Sequence, residues 1–137
     1  MALVTPTHTR GGCSFEITGQ VGHGATAAGS VGCIENPEDC TIIITNCVAY
    51  ISANSTAGCN LTVGHAATAV AAHDGHDIFD AAAMAAAVGT AVVGEDYGDP
   101  ADSLPVVAED EVIAAFCSAD SSGLAGIVYL EYVRVGD

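Results

Sequence analysis

Residues 41–52 read TIIITNCVAYIS. Isoleucines at 42, 43 and 44, followed by Val48 and Tyr50, make this a long β-strand with apolar residues on both faces, the pattern of a strand in the middle of a sheet. Immediately before it stands CIENPEDC (33–40). Asn-Pro with flanking acids signals a turn, so residues 28–34 and 40–46 are expected to form a hairpin. With the turn centred on Asn36-Pro37, Cys33 faces Cys40. Opposed residues of an antiparallel pair have Cα atoms about 4.5 to 5.5 Å apart, within reach of a disulfide. Over so short a loop such a bridge would stabilise by roughly 2 to 3 kcal/mol. Two buried free thiols acting as small hydrophobes are the competing reading, and the sequence leaves both open.

Working outward, ANSTAG (53–58) punctuates the chain and CNLTVG (59–64) follows, with Leu61 and Val63 on one side, which predicts a second hairpin with the long strand. Upstream, CSFEITG (13–19) alternates Phe15 and Ile17 against Ser14, Glu16 and Thr18, a short strand preceded by an extended arm over residues 1–12. Downstream, DIFDAAAMAAAV (77–88) offers Asp77 as an N-cap before strong helix formers and admits one short helix. The chain closes with LPVVA (104–108), EVIAAFCSA (111–119), a DSSG turn and LAGIVYLEYVRV (124–135). About seven short strands joined by turns predict a single all-β domain over residues 1–137, an antiparallel β-sandwich of the jelly-roll kind with at most one short helix.

Seventeen acids stand against two bases, Arg10 and Arg134, for a formal net charge of -15, and there is no lysine. Clustered bases are what neutralise phosphates, so no nucleic-acid partner is expected. Carboxylates at this density repel over a Debye length of about 10 Å at 0.1 M salt, which shrinks to about 3 Å at 1 M. The composition therefore suits a very salty medium and reads as halophilic. Neither a membrane-spanning apolar run nor the charged and apolar regions of a signal peptide is seen, so the chain reads as soluble with no membrane partner. Six cysteines, at 13, 33, 40, 47, 59 and 117, suggest bridges formed after release into oxidising surroundings.

No motif carries catalysis or a cofactor. There is no GxSxG, phosphate-binding loop or dinucleotide fingerprint, and the cysteines lack the paired CxxC spacing of zinc or iron-sulfur sites. HDGHD (73–77) sets His73 and His76 three apart without a third ligand of known position, and reads as a solvated loop before a metal site. Asp96, Asp99 and Asp102 in EDYGDPAD (95–102) lack the order of a calcium loop and read as a hydrated acidic segment. Asn54 and Asn60 open NST and NLT glycosylation sequons, Asn54 being the better acceptor because Asn60 begins a strand. No catalytic, cofactor-binding or metal residue is assigned.

The ordered set VGCIENPEDCTIIITNCVAYISANSTAGCNLTVG, then DIFDAAAM, then AEDEVIAAFCSADSSGLAGIVYLEYVRV resembles small structural proteins of HK97-type tailed viruses. The resemblance spans about residues 28–135. It implies a head decoration, turret or vertex component, a β-sandwich that oligomerises, with residues 111–135 as its closing hairpin. The acidic, lysine-free composition then implies a virus of a halophilic archaeon, and a location on the virion. Implied partners are copies of the chain itself and the major capsid protein or other virion proteins. A host-surface or glycan-binding module of the virion is the alternative. The six cysteines depart from the family pattern, and no catalytic residue carries over.

Overall fold

The computed structural model describes residues 10–20, 30–56, 58–69, 72, 78–83, 91–93 and 104–135. Its regular elements are strands: β1 (Arg10–Thr18), β2 (Gly32–Glu35), β3 (Thr41–Ala53), β4 (Asn60–Ala66), β5 (Phe79–Ala83), β6 (Ala91–Val93), β7 (Val106–Val107), β8 (Val112–Cys117) and β9 (Ala125–Val135). With the two-residue β7 set aside, they pair first with last: β1 with β9, β2 with β8, β3 with β6, β4 with β5. This nested ribbon folds once more, so that β3 also pairs with β9 and β4 with β8. Two antiparallel sheets result, one ordered β1-β9-β3-β6 with β7 beside β3, the other β2-β8-β4-β5. Two sheets of eight strands wound in this order are a jelly roll.

The core lies between the sheets. Ile42, Ile44, Cys47, Ala49 and Ile51 of β3 are all fully buried, although they change from even to odd positions along one strand. A strand alternates with period two, so one extra residue must absorb the change. Thr45 is that residue: the register with β9 slips between Ile44 and Asn46, and Thr45 is exposed. Phe15, Ile17, Leu61, Val63, Phe79 and Ile113 complete the interior from the neighbouring strands. At one corner the sheets are tied through Val31, whose carbonyl accepts from Thr18 N at 2.8 Å while its own N–H donates to Ala115 O at 2.8 Å.

None of the three expected hairpins forms. Residues 36–40 carry the chain from β2 in one sheet to β3 in the other, residues 54–59 carry it from β3 to β4, and residues 118–124 from β8 to β9. A turn signal fixes where the chain reverses, but not whether the next strand stays in the same sheet. Here the arches are held by one another. Thr56 N donates to Ser122 O at 2.8 Å, and Asn36 N to Glu111 O at 2.9 Å. Gly123 supplies the left-handed conformation (φ 86°) that the last arch needs. Cys33 and Cys40 accordingly do not face each other. Cys33 is exposed on β2 opposite Ala114, Cys40 is buried before β3, and all six cysteines are free thiols.

Two boundaries also move. The anticipated helix from Asp77 is, over Phe79–Ala83, the edge strand β5, paired with β4 at Leu61 and Asn60. Burial of Ile78 and Phe79 in the core overrides the helix preference of the alanines. β1 begins at Arg10, so residues 10–12 of the expected arm belong to the sheet, where Arg10 stands opposite Val133. Residues 1–9 lie outside the described residues.

Candidate interaction surface

The two sheets differ in what covers their outer faces. On the four-stranded sheet, Ala114 and Phe116 of β8 point away from the core, and Ala72 packs on them together with Ala66 and Ala69. The chain thus covers its own apolar patch. On the sheet that contains β3, outward-facing residues stand in cross-strand rows: Val106, Ile43 and Val133 in one, Val48 and Tyr129 in another, Tyr50 and Ile127 in a third. Ile43, Val48, Ile127 and Val133 are half-buried, while Tyr50 is 42% and Tyr129 47% exposed. No described residue covers these rows as Ala72 covers Phe116. Period-two placement on two long central strands is what aligns them.

Beside the tyrosine rows runs a groove. Gly12 has no side chain to fill the space next to Glu131, its cross-strand partner. The resulting depression of about 740 Å³ is lined by Arg10, Thr45, Asn46 and Glu131 among others. A shallower one of about 340 Å³ continues it past Ser14 to Tyr129. The bulge at Thr45 and the missing side chain of Gly12 therefore create a concave strip with a guanidinium, an amide, a carboxylate and an aromatic ring along it.

Charge is gathered elsewhere. Glu38 accepts a 2.7 Å hydrogen bond from the Tyr132 hydroxyl and lies 3.3 Å from Arg134 Nε, while Arg134 Nη2 lies 3.3 Å from Asp39. Burial, and then the hydrogen bond to Glu38, hold the Tyr132 phenol well above its ordinary pKa. Glu111 accepts from Ala108 N at 2.8 Å and meets His65 Nδ1 at 3.1 Å. Both groups brace the arch at 36–40 and the turn before β8, and neither faces the apolar rows.

Of the residues singled out in the sequence, His73, His76, Asp96, Asp99 and Asp102 lie outside the described residues. Among the described residues no group of three or more His, Cys, Asp or Glu side chains is placed to hold a metal, and no helix is long and apolar enough to cross a membrane. Asn54 and Asn60 are both exposed. The outward apolar rows were not singled out from sequence. Their signal was the apolar pattern on both faces of residues 41–52, read there as the mark of a central strand, and the β-branched and aromatic run of residues 124–135.

No protein-family model matches the chain, and no curated protein or solved structure matches it either. The strand order alone therefore carries the fold assignment, and the surface is read from its own residues. A chain with a formal charge of -15 keeps the middle of one sheet face nearly free of charge, with Glu16 and Glu131 as the acids on β1 and β9 there. Like charge disfavours association, whereas clustered Tyr, Ile and Val favour it.

Proposed function

We propose that this protein is a virion structural component, a decoration, turret or vertex protein of a tailed virus of a halophilic host. It packs through the outer face of the β1-β9-β3 sheet against copies of itself and the capsid shell. The observation that carries this reading is the open apolar stripe formed by Ile43, Val48, Tyr50, Ile127, Tyr129 and Val133 in so acidic a chain. Three strands spaced about 4.8 Å apart, with residues rising about 3.3 Å each, present a face on the order of 40 by 15 Å. With flanking side chains that approaches the roughly 800 Å² per partner of a stable interface. The jelly roll agrees with a shell component but serves many other functions, so it supplies no residue to the argument. Mass spectrometry of purified particles, with copy number measured against the major shell protein, tests the reading. Absence from particles, together with a monomer at molar salt, overturns it.

A second reading is favoured by the groove. Tyr129 at one end and Arg10, Asn46 and Glu131 at the other suit a neutral sugar, which stacks on an aromatic ring and hydrogen-bonds to amides and carboxylates. As a host-surface or glycan-binding module, the protein would bind neutral oligosaccharides in calorimetric titration. That binding would be lost in Tyr129→Ala and in Asn46→Ala, the second of which leaves the apolar rows intact.

A further inference from the structure

Six free thiols allow fifteen pairings, and the strand register singles out one pair. Cys13 and Cys47 face inward on either side of Leu130, each its direct cross-strand partner. They are therefore two strand spacings apart, close to 10 Å, beyond the roughly 7 Å that a disulfide spans. Cys40 precedes β3 by one residue and lies seven residues from Cys47 along nearly straight chain, on the order of 20 Å. Cys33 is exposed on the outer side of the other sheet. Cys59 and Cys117 differ from all of these. Leu61 stands directly opposite Cys117, and Cys59, two residues earlier, lies diagonally across from Cys117 on the same inward side. The Cys59 thiol donates to the buried Ser55 hydroxyl at 3.4 Å, and Cys117 lies close enough to Cys59 for the two thiols to perturb each other.

We infer that Cys59 and Cys117 are a cross-link site, closed to an intramolecular disulfide by thiol-disulfide exchange once the protein meets an oxidising small-molecule disulfide. Diagonal neighbours have Cα atoms about 7 to 8 Å apart, just beyond the roughly 7 Å that a disulfide spans, so closing the bridge requires the backbone to shift by about 1 Å. Cys59 precedes β4, so its backbone is free of the ladder and can close the remainder. The next residue is held from both sides, Asn60 N donating to Ser118 Oγ at 2.8 Å and Ser118 N to Asn60 O at 2.9 Å. In the exchange, one protein thiolate attacks oxidised glutathione and expels one glutathione thiol. The second protein thiolate then attacks the protein sulfur of that mixed disulfide and expels the other glutathione. Two protein thiols become one disulfide, one glutathione disulfide becomes two thiols, and the protein loses two hydrogens.

The step is slow by construction. Cys59 is 4% and Cys117 7% exposed, so the reagent enters when the arch at 54–59 opens. Burial, and then the neighbouring Cys59, push the Cys117 thiol up to about 12, which keeps thiolate scarce at neutral pH and makes the rate climb with pH. Joining positions so far apart in the chain raises the thermal midpoint on the order of 10 °C. This site is independent of the virion reading, and either can fail alone.

The test uses the full chain carrying Cys33→Ser, which removes the exposed thiol, incubated with oxidised glutathione at mildly alkaline pH in molar salt. Intact mass should fall by two hydrogens, and chymotryptic digestion without reductant should yield residues 51–61 joined to residues 117–124, peptides that hold Cys59 and Cys117 as their single cysteines. The thermal midpoint should rise and return on reduction. Cys59→Ser and Cys117→Ser should each abolish the pair and the rise. A bridge between any other two cysteines, glutathione retained on Cys59 or Cys117, or both thiols still alkylatable after unfolding overturns the inference. The peptide map of the parent chain decides even where a serine variant does not fold.

Discussion

The side-chain amide of Asn36 donates from Nδ2 to the carbonyl oxygen of Ala108 at 2.9 Å, joining positions 72 residues apart. The same nitrogen reaches Cys40 O at 3.0 Å, and Oδ1 accepts from Glu38 N at 2.9 Å. One buried side chain thus shapes the first arch and fastens it to the segment between β7 and β8. Asn36→Ala should cost about 2 to 3 kcal/mol, because it strands buried backbone groups as well as removing bonds. Asn36→Asp should cost more, since a carboxylate would face two carbonyl oxygens. Urea unfolding of both variants checks the order, and a neutral Asn36→Asp would remove the amide from this role.

Alkaline pH should weaken the fold through its buried thiols. Burial, and then the nearby Cys13, push the Cys47 thiol up to about 12 from an ordinary 9.0. Its folded-state pKa is raised, so the unfolded chain ionises first. The stability conferred by a neutral buried thiol is fully present below pH 9.0 and is lost as pH rises toward 12. Between those limits each such thiol removes about 1.4 kcal/mol per pH unit. Cys117 acts in the same direction. Cys47→Ala should flatten the fall measured by urea midpoints across this range, and a pH-independent midpoint in the parent chain would contradict the assignment.

Tyr129→Asp should separate association from folding. The ring is half exposed between Ser14 and Val48, so the monomer should change by no more than about 0.5 kcal/mol. Sedimentation should show association of the parent chain that strengthens with salt, as screening removes repulsion and salting-out favours apolar burial. The variant should stay monomeric. Self-association that weakens with salt would contradict apolar packing of like-charged copies.

Removal of salt should itself destabilise the monomer. With a formal charge of -15 the folded chain repels itself, and screening over about 10 Å at 0.1 M leaves much of that in place. Thermal midpoints should climb steadily from low to molar sodium chloride. Replacement by potassium chloride at equal ionic strength should have nearly the same effect if screening is the cause.

Alternation made much of the interior legible. Phe15 and Ile17, and Leu61 and Val63, face the core as their spacing implies, and so do Ile42, Ile44 and Ile51 of β3 once Thr45 absorbs the change of phase. Strand partners were not legible, because Asn36-Pro37 and Gly123 specify reversal while distant backbone groups decide which sheet receives the next strand. Six alanines around Met84 look helical by intrinsic preference, yet Phe79 buries its ring beside Val63, and pairing with β4 settles Phe79–Ala83. For the candidate surface, the residues themselves could be read from Val48, Tyr50, Ile127 and Tyr129. Which outer face the chain would cover with Ala72 and which it would leave open depends on contacts between segments far apart in sequence.

The nested pairing also imposes an order in time. β1 has its hydrogen-bonding partner in β9, and seven strands are synthesised between the two, so β1 cannot join its sheet early. Nascent β1 must stay unpaired until β9 has emerged, and the most sequence-distant contacts are the ones that close the structure. A chain stalled before residue 125 would lack the strand that lies between β1 and β3, leaving both exposed together.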